Sequence, residues 1–462
     1  MASGCLNILP MPDDSWKRLE EIVGAAHLTH DTGCLRQRGW DGPSPQAIVR
    51  PGNREQVCEV LRLAHAEGLR VAPAGNCTKQ RLGGIPRAID LLLWLDRMNR
   101  ITEYQAADLT ITVEAGVRIE DLAAALRAEG QMLPLDVPFG SEATIGGVIA
   151  TNGSGPRRLA YGSARDMVLG VHFVTAEGTL AKSGGKVVKN VAGYDLGKLL
   201  IGSLGTLAVL TDITFKVLPI PPSSATLVLG FSTAAEALQA RNRILNSPVA
   251  PQALDLLDSP AGALLQETQL SESPFALVVA VAGPEAVVSR ASRELPLLVR
   301  QENPVAIVCL MGEAESKLWS KIQEFTPAFL RAHSAGVVIK ASVVLTQVGQ
   351  VIEQARRAAS QNGLALAVVA RAGTGIVYCY LWRESSADDV SSVERMASAC
   401  GFLLTETERL GGRAIVEWSP LSVKEKVNIW GTLQDDFALM QRLKAQMDPR
   451  GILNPGRYYG GI

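Results

Sequence analysis

The sequence predicts an α+β chain in two parts with a returning tail, and three observations lead there. Helix-period and strand-like segments alternate up to about residue 220, three prolines in four positions interrupt the chain at Pro219, Pro221 and Pro222, and longer helical stretches then separate strand-like runs. At 462 residues with 47% hydrophobic content the chain exceeds a single small module. The boundaries expected are a first domain over 1–220 with its core in 40–220, a second α+β domain over 223–429, and a segment over 430–462 that returns to the first.

In the first part, Asn53 caps a helix with Gln56 three residues on; Val57, Val60, Leu61 and Ala64 share one face, and Gly68 closes it. Leu69–Ala72 reads as a strand. A second helix runs from Arg118 to Ala128, with Glu120 and Asp121 in its first turn and Gly130 as its stop. Leu169–Thr175 and Leu207–Val217 are β-branched, apolar strands. Beyond Pro222, helices are expected over Ala234–Leu245 and Val348–Gln361. Strands are expected over Ala276–Ala282, Val305–Leu310, Val337–Leu345, Leu364–Ala370 and Ile376–Trp382, giving a mostly antiparallel sheet with helices on one face. The tail helix carries Leu439, Met440, Leu443 and Met447 and ends at Asp448-Pro449.

Composition excludes several functions. A net charge of -1 without a dense basic block leaves no electrostatic footprint for nucleic acid. The seven cysteines are scattered and form no Cys-x-x-Cys, which predicts a reduced, cytoplasmic chain without a disulfide framework or iron–sulfur ligands. Met1–Trp16 carries no readable export signal, and apolar runs such as Phe275–Ala282 fall short of a bilayer span, so membrane contact is peripheral at most.

Chemistry concentrates in small-residue loops. Pro73, Ala74, Gly75, Asn76, Cys77 and Thr78 follow a strand and offer main-chain N–H groups that suit a phosphate or pyrophosphate, although an ordinary Gly-Asn turn has the same composition. The stretch Ala143–Gly155, with Thr144, Gly146, Gly147, Ala150, Thr151, Gly153 and Ser154, lets the backbone wrap a flat polyphosphate cofactor. No Gly-x-Gly-x-x-Gly opens a helix after a strand, and Gly184-Gly185-Lys186 is followed by Val187 where a Walker loop needs Ser or Thr. Gly-x-Ser-x-Gly and His-Glu-x-x-His are absent as well.

Four motifs in order, Gly75–Thr78, Ala143–Gly147, Gly184–Leu196 and Gly202–Leu207, resemble the FAD-binding half of the vanillyl-alcohol oxidase/p-cresol methylhydroxylase superfamily over residues 40–220. Lys189–Asp195 and the closing Met447–Arg457 are most similar to the glycolate oxidase FAD-binding subunits, whereas 223–430 matches loosely. The resemblance implies a two-subdomain FAD-binding domain of the p-cresol methylhydroxylase type, followed by an α+β cap domain with an antiparallel sheet. It implies FAD with its pyrophosphate on Gly75–Thr78, Thr144–Ser154 along the rest, Val209 or Ile213 at the adenine and ribose, and Asn454 returning to the flavin. Cys77 stands where related oxidases attach flavin through a histidine, so it either tethers FAD or fills the turn.

The metal-binding histidine pair and Glu-His-Gly of the 2-hydroxy-acid dehydrogenases that act alone are missing, and no metal is expected. His333 is a candidate base, and Lys340, Arg371 and Arg413 are candidate clamps for a substrate carboxylate. The function implied is a glycolate/D-lactate-type 2-hydroxy-acid dehydrogenase subunit that works with a second flavoprotein and an iron–sulfur subunit. The alternatives are an FAD-holding relay subunit without its own substrate oxidation and a free-standing flavin oxidase of an alcohol or sugar.

Overall fold

The computed structural model describes residues 11–33, 35, 40–185, 193–383 and 390–462. Residues 186–192 of the third motif, Cys5 and Cys34 lie outside them.

Two sheets form the first part. One has the strand order Leu28–Thr29, Ala47–Val49, Leu91–Trp94, Val71–Ala74, the last three parallel. The expected Asn53 helix, observed over Arg54–Glu67, crosses between two of them: Asn53 accepts from the Gln56 N–H at 2.9 Å and Gly68 ends it at φ 72°. Its face of Val57, Val60, Leu61 and Ala64 is fully buried. The second sheet is antiparallel, ordered Ile101–Gln105, Thr110–Glu114, Val209–Lys216, Val168–Val174, Leu180–Gly184. One apolar core runs through both.

The proline segment is shorter as a connector than its composition suggests. Leu218–Pro219 pairs with Gln131–Met132, and Ser223 already begins a nine-residue strand. That strand belongs to an eight-stranded antiparallel sheet ordered Ala306–Leu310, Ser223–Phe231, Phe275–Gly283, Ala253–Asp258, Ala365–Arg371, Ile376–Trp382, Val337–Ser342, Arg413–Trp418. Helices cover both faces, not one. Ala234–Leu245, Glu285–Leu298, Val348–Asn362 and Val390–Arg409 pack on the first face, and shorter helices such as Gly312–Gln323 and Phe325–Ala332 pack on the second. The strands alternate Leu227/Val228 and Val337/Val338 between two apolar cores, which requires a cover on each side.

The tail helix, Phe437–Met447, leads to Asp448, whose carboxylate accepts from Ile452 N and Leu453 N. Leu453 bridges to Val71 in parallel, and Asn454 N donates to Val71 O at 2.9 Å. Ile452 and Leu453 thereby join the core of the first part.

Candidate functional site

The strand Val71–Ala74 ends in the loop Gly75–Thr78, which the structure folds against the start of the short helix Ile145–Ala150. Thr144 caps that helix, its Oγ1 accepting from Gly147 N, and Asn76 Nδ2 donates to Glu142 O at 2.8 Å. The two loops meet so closely that a Cβ on Gly75 would lie 1.9 Å from Thr144 Oγ1, and a Cβ on Gly146 would lie 2.8 Å from that of Ala115. Cys77 takes a left-handed backbone, φ 60°, with its thiol buried against Gly75 O at 3.7 Å. From the other side Asn454 donates Nδ2–H to Leu204 O at 2.7 Å, pinning the loop Ser203–Gly205.

Between these walls lies an open, concave cavity lined mostly by small residues. It brings together Pro73 to Thr78, Thr144, Gly146, Gly147, Ala150, Thr151, Gly153 and Asn454. Ser154, Val209 and Ile213 do not line it. Ser154 accepts from Arg158 Nη1, and the strand Val209–Lys216 is buried on both sides, so the segment reaches the cavity through Ala208 and Leu210 instead. Lys79, Gln80 and Arg457 also line it and were not among the expected residues. Arg457 donates to Gln80 Oε1 at 2.7 Å, while its Nη1 is shut from solvent without a partner among the described residues. Burial holds the guanidinium down to about 10, against the pull of Asp41. An orphaned cationic donor in a wall of small residues fits a ligand with anionic or carbonyl oxygens, as FAD has.

Lys79 carries the cavity to the second domain. Burial lowers its pKa, with Glu417 opposing and Lys340 adding to the shift, so the charges of the second domain reach it across the seam. Lys340 Nζ lies 3.8 Å from Glu417 and 5.9 Å from the Tyr378 ring, and Arg371 lies over the same ring at 5.7 Å. Arg371 also bonds Asp255, with Arg371 Nε and Asp255 Oδ1 left without a partner among the described residues. Burial pushes the Tyr378 hydroxyl far up. Lys340, Arg371 and Tyr378 occupy one sheet face by period-two alternation, Lys340 pairing with Tyr378 and Tyr378 with Val369, and Glu417, the extra residue at a bulge against Val338 and Ile339, meets Lys340 on that face. Tyr378 and Glu417 were legible only as polar residues interrupting apolar strands.

Two expected site residues lie elsewhere. Arg413 donates to the Tyr459 hydroxyl at 2.8 Å and holds the tail. His333 stacks on Trp382 at 4.7 Å and packs on Phe329, half-buried at the edge of an aromatic cluster, and burial lowers its pKa.

The family described as FAD binding domain matches residues 45–184, and that described as FAD linked oxidases, C-terminal domain, matches residues 220–458. The chain belongs to the FAD-linked oxidases. It is thus an FAD-dependent oxidoreductase. The chain is 27% identical over 420 residues to glycolate oxidase subunit GlcD of Bacillus subtilis, covering 90% of this chain and 89% of that protein. It is 48% identical over 128 residues to glycolate oxidase subunit GlcE of Escherichia coli, covering 28% of this chain and 37% of that protein. In fold it is similar to p-cresol methylhydroxylase, with a TM-score of 0.79 at 16% identity over 96% of each chain. No helix among the described residues is long and apolar enough to cross a membrane.

Proposed function

We propose that this FAD-linked oxidoreductase is a subunit that oxidises a small 2-hydroxy acid of the glycolate or D-lactate type and passes the electrons to an iron–sulfur partner. The observation that carries the reading is the half-buried group of Lys79, Lys340, Arg371, Tyr378 and Glu417 beside the cavity, of which Lys79 lines it. Bound FAD supplies a two-electron acceptor for the hydride of the substrate α-carbon. Residues Pro73–Thr78, Thr144–Gly153, Asn454 and Arg457 hold it.

The chain's own residues supply the rest. Lys340 and Arg371 orient the substrate carboxylate; Arg371 is already held in place by Asp255 and by stacking on Tyr378, so little ordering remains on binding. Glu417 is the carboxylate beside Lys79 and Lys340 that can take the hydroxyl proton, since no histidine adjoins the group among the described residues. The partial burial of the group strengthens each charge interaction. The scattered cysteines leave the onward relay to another subunit. Similarity to two glycolate oxidase subunits supports both substrate class and assembly.

The same lack of a histidine favours a second reading, an FAD-holding relay subunit that does not oxidise substrate itself. The visible spectrum of the purified chain, before and after anaerobic glycolate or D-lactate, separates them. Bleaching of the flavin bands supports the first reading, an unchanged flavin spectrum supports the second, and a chain purified without flavin overturns both.

A further inference from the structure

Of the thirteen large apolar side chains that stand exposed among the described residues, five lie in one short stretch of the second domain: Val287, Leu297, Val305, Ile307 and Met311, between 44% and 69% exposed. They flank the edge strand Ala306–Leu310 of the eight-stranded sheet, no residue of which is buried. Its outer row of N–H and C=O groups is that of an uncovered edge, and edges normally carry a lysine, a proline or a bulge. This one has no charge from Val305 to Met311 and runs in unbroken register with Ser223–Phe231. The opposite edge, Arg413–Trp418, is covered, with Val416 N donating to Ile429 O at 2.9 Å.

We infer that the strand Ala306–Leu310 and the helix Glu285–Leu298 form the interface with a second copy of this chain, joined antiparallel about a two-fold axis at Val308. Self-complementarity singles out that occupant. Antiparallel pairing centred on Val308 sets Ala306 opposite Leu310 and Ile307 opposite Cys309 of the second copy, a small side chain against a large one each time. Ile307 and Cys309 pair with Leu229 and Leu227, whose side chains face the helical layer, so the patch lies on the side of the helix Glu285–Leu298. That helix exposes Val287, Arg290, Glu294 and Leu297 along one side, with Arg290 and Glu294 3.1 Å apart. An antiparallel copy meets it with Leu297 against Val287 and Glu294 against Arg290, so apolar ends and opposite charges match under the same two-fold operation. The two eight-stranded sheets become one, main-chain bonds supplying affinity and the apolar rows supplying register.

The test is made on the full chain. Light scattering at ten micromolar, roughly the range of a stable homodimer, is expected to give twice the chain mass of 49.2 kDa. Ile307→Lys is expected to halve that mass while leaving flavin content and the circular dichroism spectrum unchanged. In a Cys309→Ser background, Val308→Cys is expected to form an intermolecular disulfide on mild oxidation, because directly opposed residues bring their Cα atoms within disulfide reach. Cys309→Ser alone and Ile307→Cys in that background are expected not to cross-link. A monomeric parent chain, including one that pairs only with a different protein, overturns the inference. So does a dimer that survives Ile307→Lys or fails to cross-link at position 308.

Discussion

Replacing Gly75 by alanine places a methyl group where its Cβ meets Thr144 Oγ1 at 1.9 Å, Thr144 Cβ at 2.9 Å and Cγ2 at 3.0 Å. Ordinary contact begins at about 3.5 Å, so either the Gly75–Thr78 loop or the start of the helix Ile145–Ala150 must move by more than 1 Å, roughly the misplacement that costs function in ordered sites. Overpacking of this kind costs about 1–3 kcal/mol. Because both displaced segments line the cavity, that cost should appear in FAD affinity as a weakening of about 5- to 150-fold. Thr144→Gly removes every atom the new methyl meets. It costs only a few tenths of a kcal/mol as an N-cap change, because glycine is itself accepted there. The double variant Gly75→Ala/Thr144→Gly should therefore recover most of the affinity. The assay is titration of deflavinated protein with FAD, followed by quenching of flavin fluorescence. A Gly75→Ala chain that binds within two-fold of the parent, or a double variant no better than the single, refutes the assignment of this wall.

Three further outcomes are expected. Burial pushes Asp258 up to about 6 although its Oδ1 accepts from Ala261 N and Val368 N at 3.0 Å. The folded chain keeps this proton to about pH 6 while the unfolded chain releases it near 3.8, so stability present at low pH is lost as pH rises through that window, by about 3 kcal/mol. Asp258→Asn keeps both accepted bonds, and denaturant unfolding at pH 4 and 7 should show it losing less stability than the parent; parallel losses would be inconsistent with the cause given. Lys424 is 1% exposed and pairs at 2.6 Å with Asp41, itself 3% exposed, and it donates also to Arg81 O and Gly83 O, tying the second domain to the segment beside the cavity. Lys424→Met should destabilise by about 3–5 kcal/mol, and adding Asp41→Asn should recover part of it; equal stability of single variant and parent would show the pair to be dispensable. For Cys77, acid precipitation of the holoprotein should release all flavin, with Cys77→Ser retaining normal flavin content; colour that stays with the pellet of the parent but not of the variant would establish a thioether tether.

Local chemistry was legible wherever it needs only neighbours in the chain. The helix Arg54–Glu67 has its cap, its buried face and its left-handed stop written at Asn53, Val57–Ala64 and Gly68, and Ala234–Leu245 and Ile376–Trp382 fall where their periods place them. The loops Gly75–Thr78 and Thr144–Gly153 could be read because close backbone approach demands glycine and small hydroxyl residues in sequence. Strands such as Ala253–Asp258 escaped the reading, being buried on both faces with Asp255 and Asp258 set among the apolar residues, so that no alternation marks them.

What the sequence alone determined, then, is the small-residue loops that line the cavity, the α+β class and the lack of a metal-ligand motif, since each depends on residue type at short spacing. The tertiary structure alone decided which charges meet. Lys79, Lys340, Arg371, Tyr378 and Glu417 come from five separate segments, and sheet register, which no local pattern encodes, puts four of them on one face opposite the first domain's loop. Arg413, at the end of its strand opposite Ser342, reaches the Tyr459 hydroxyl of the tail instead, and His333, just past the helix Phe325–Ala332, packs among aromatic rings, although in the sequence they carry the same chemistry as the residues that face the cavity.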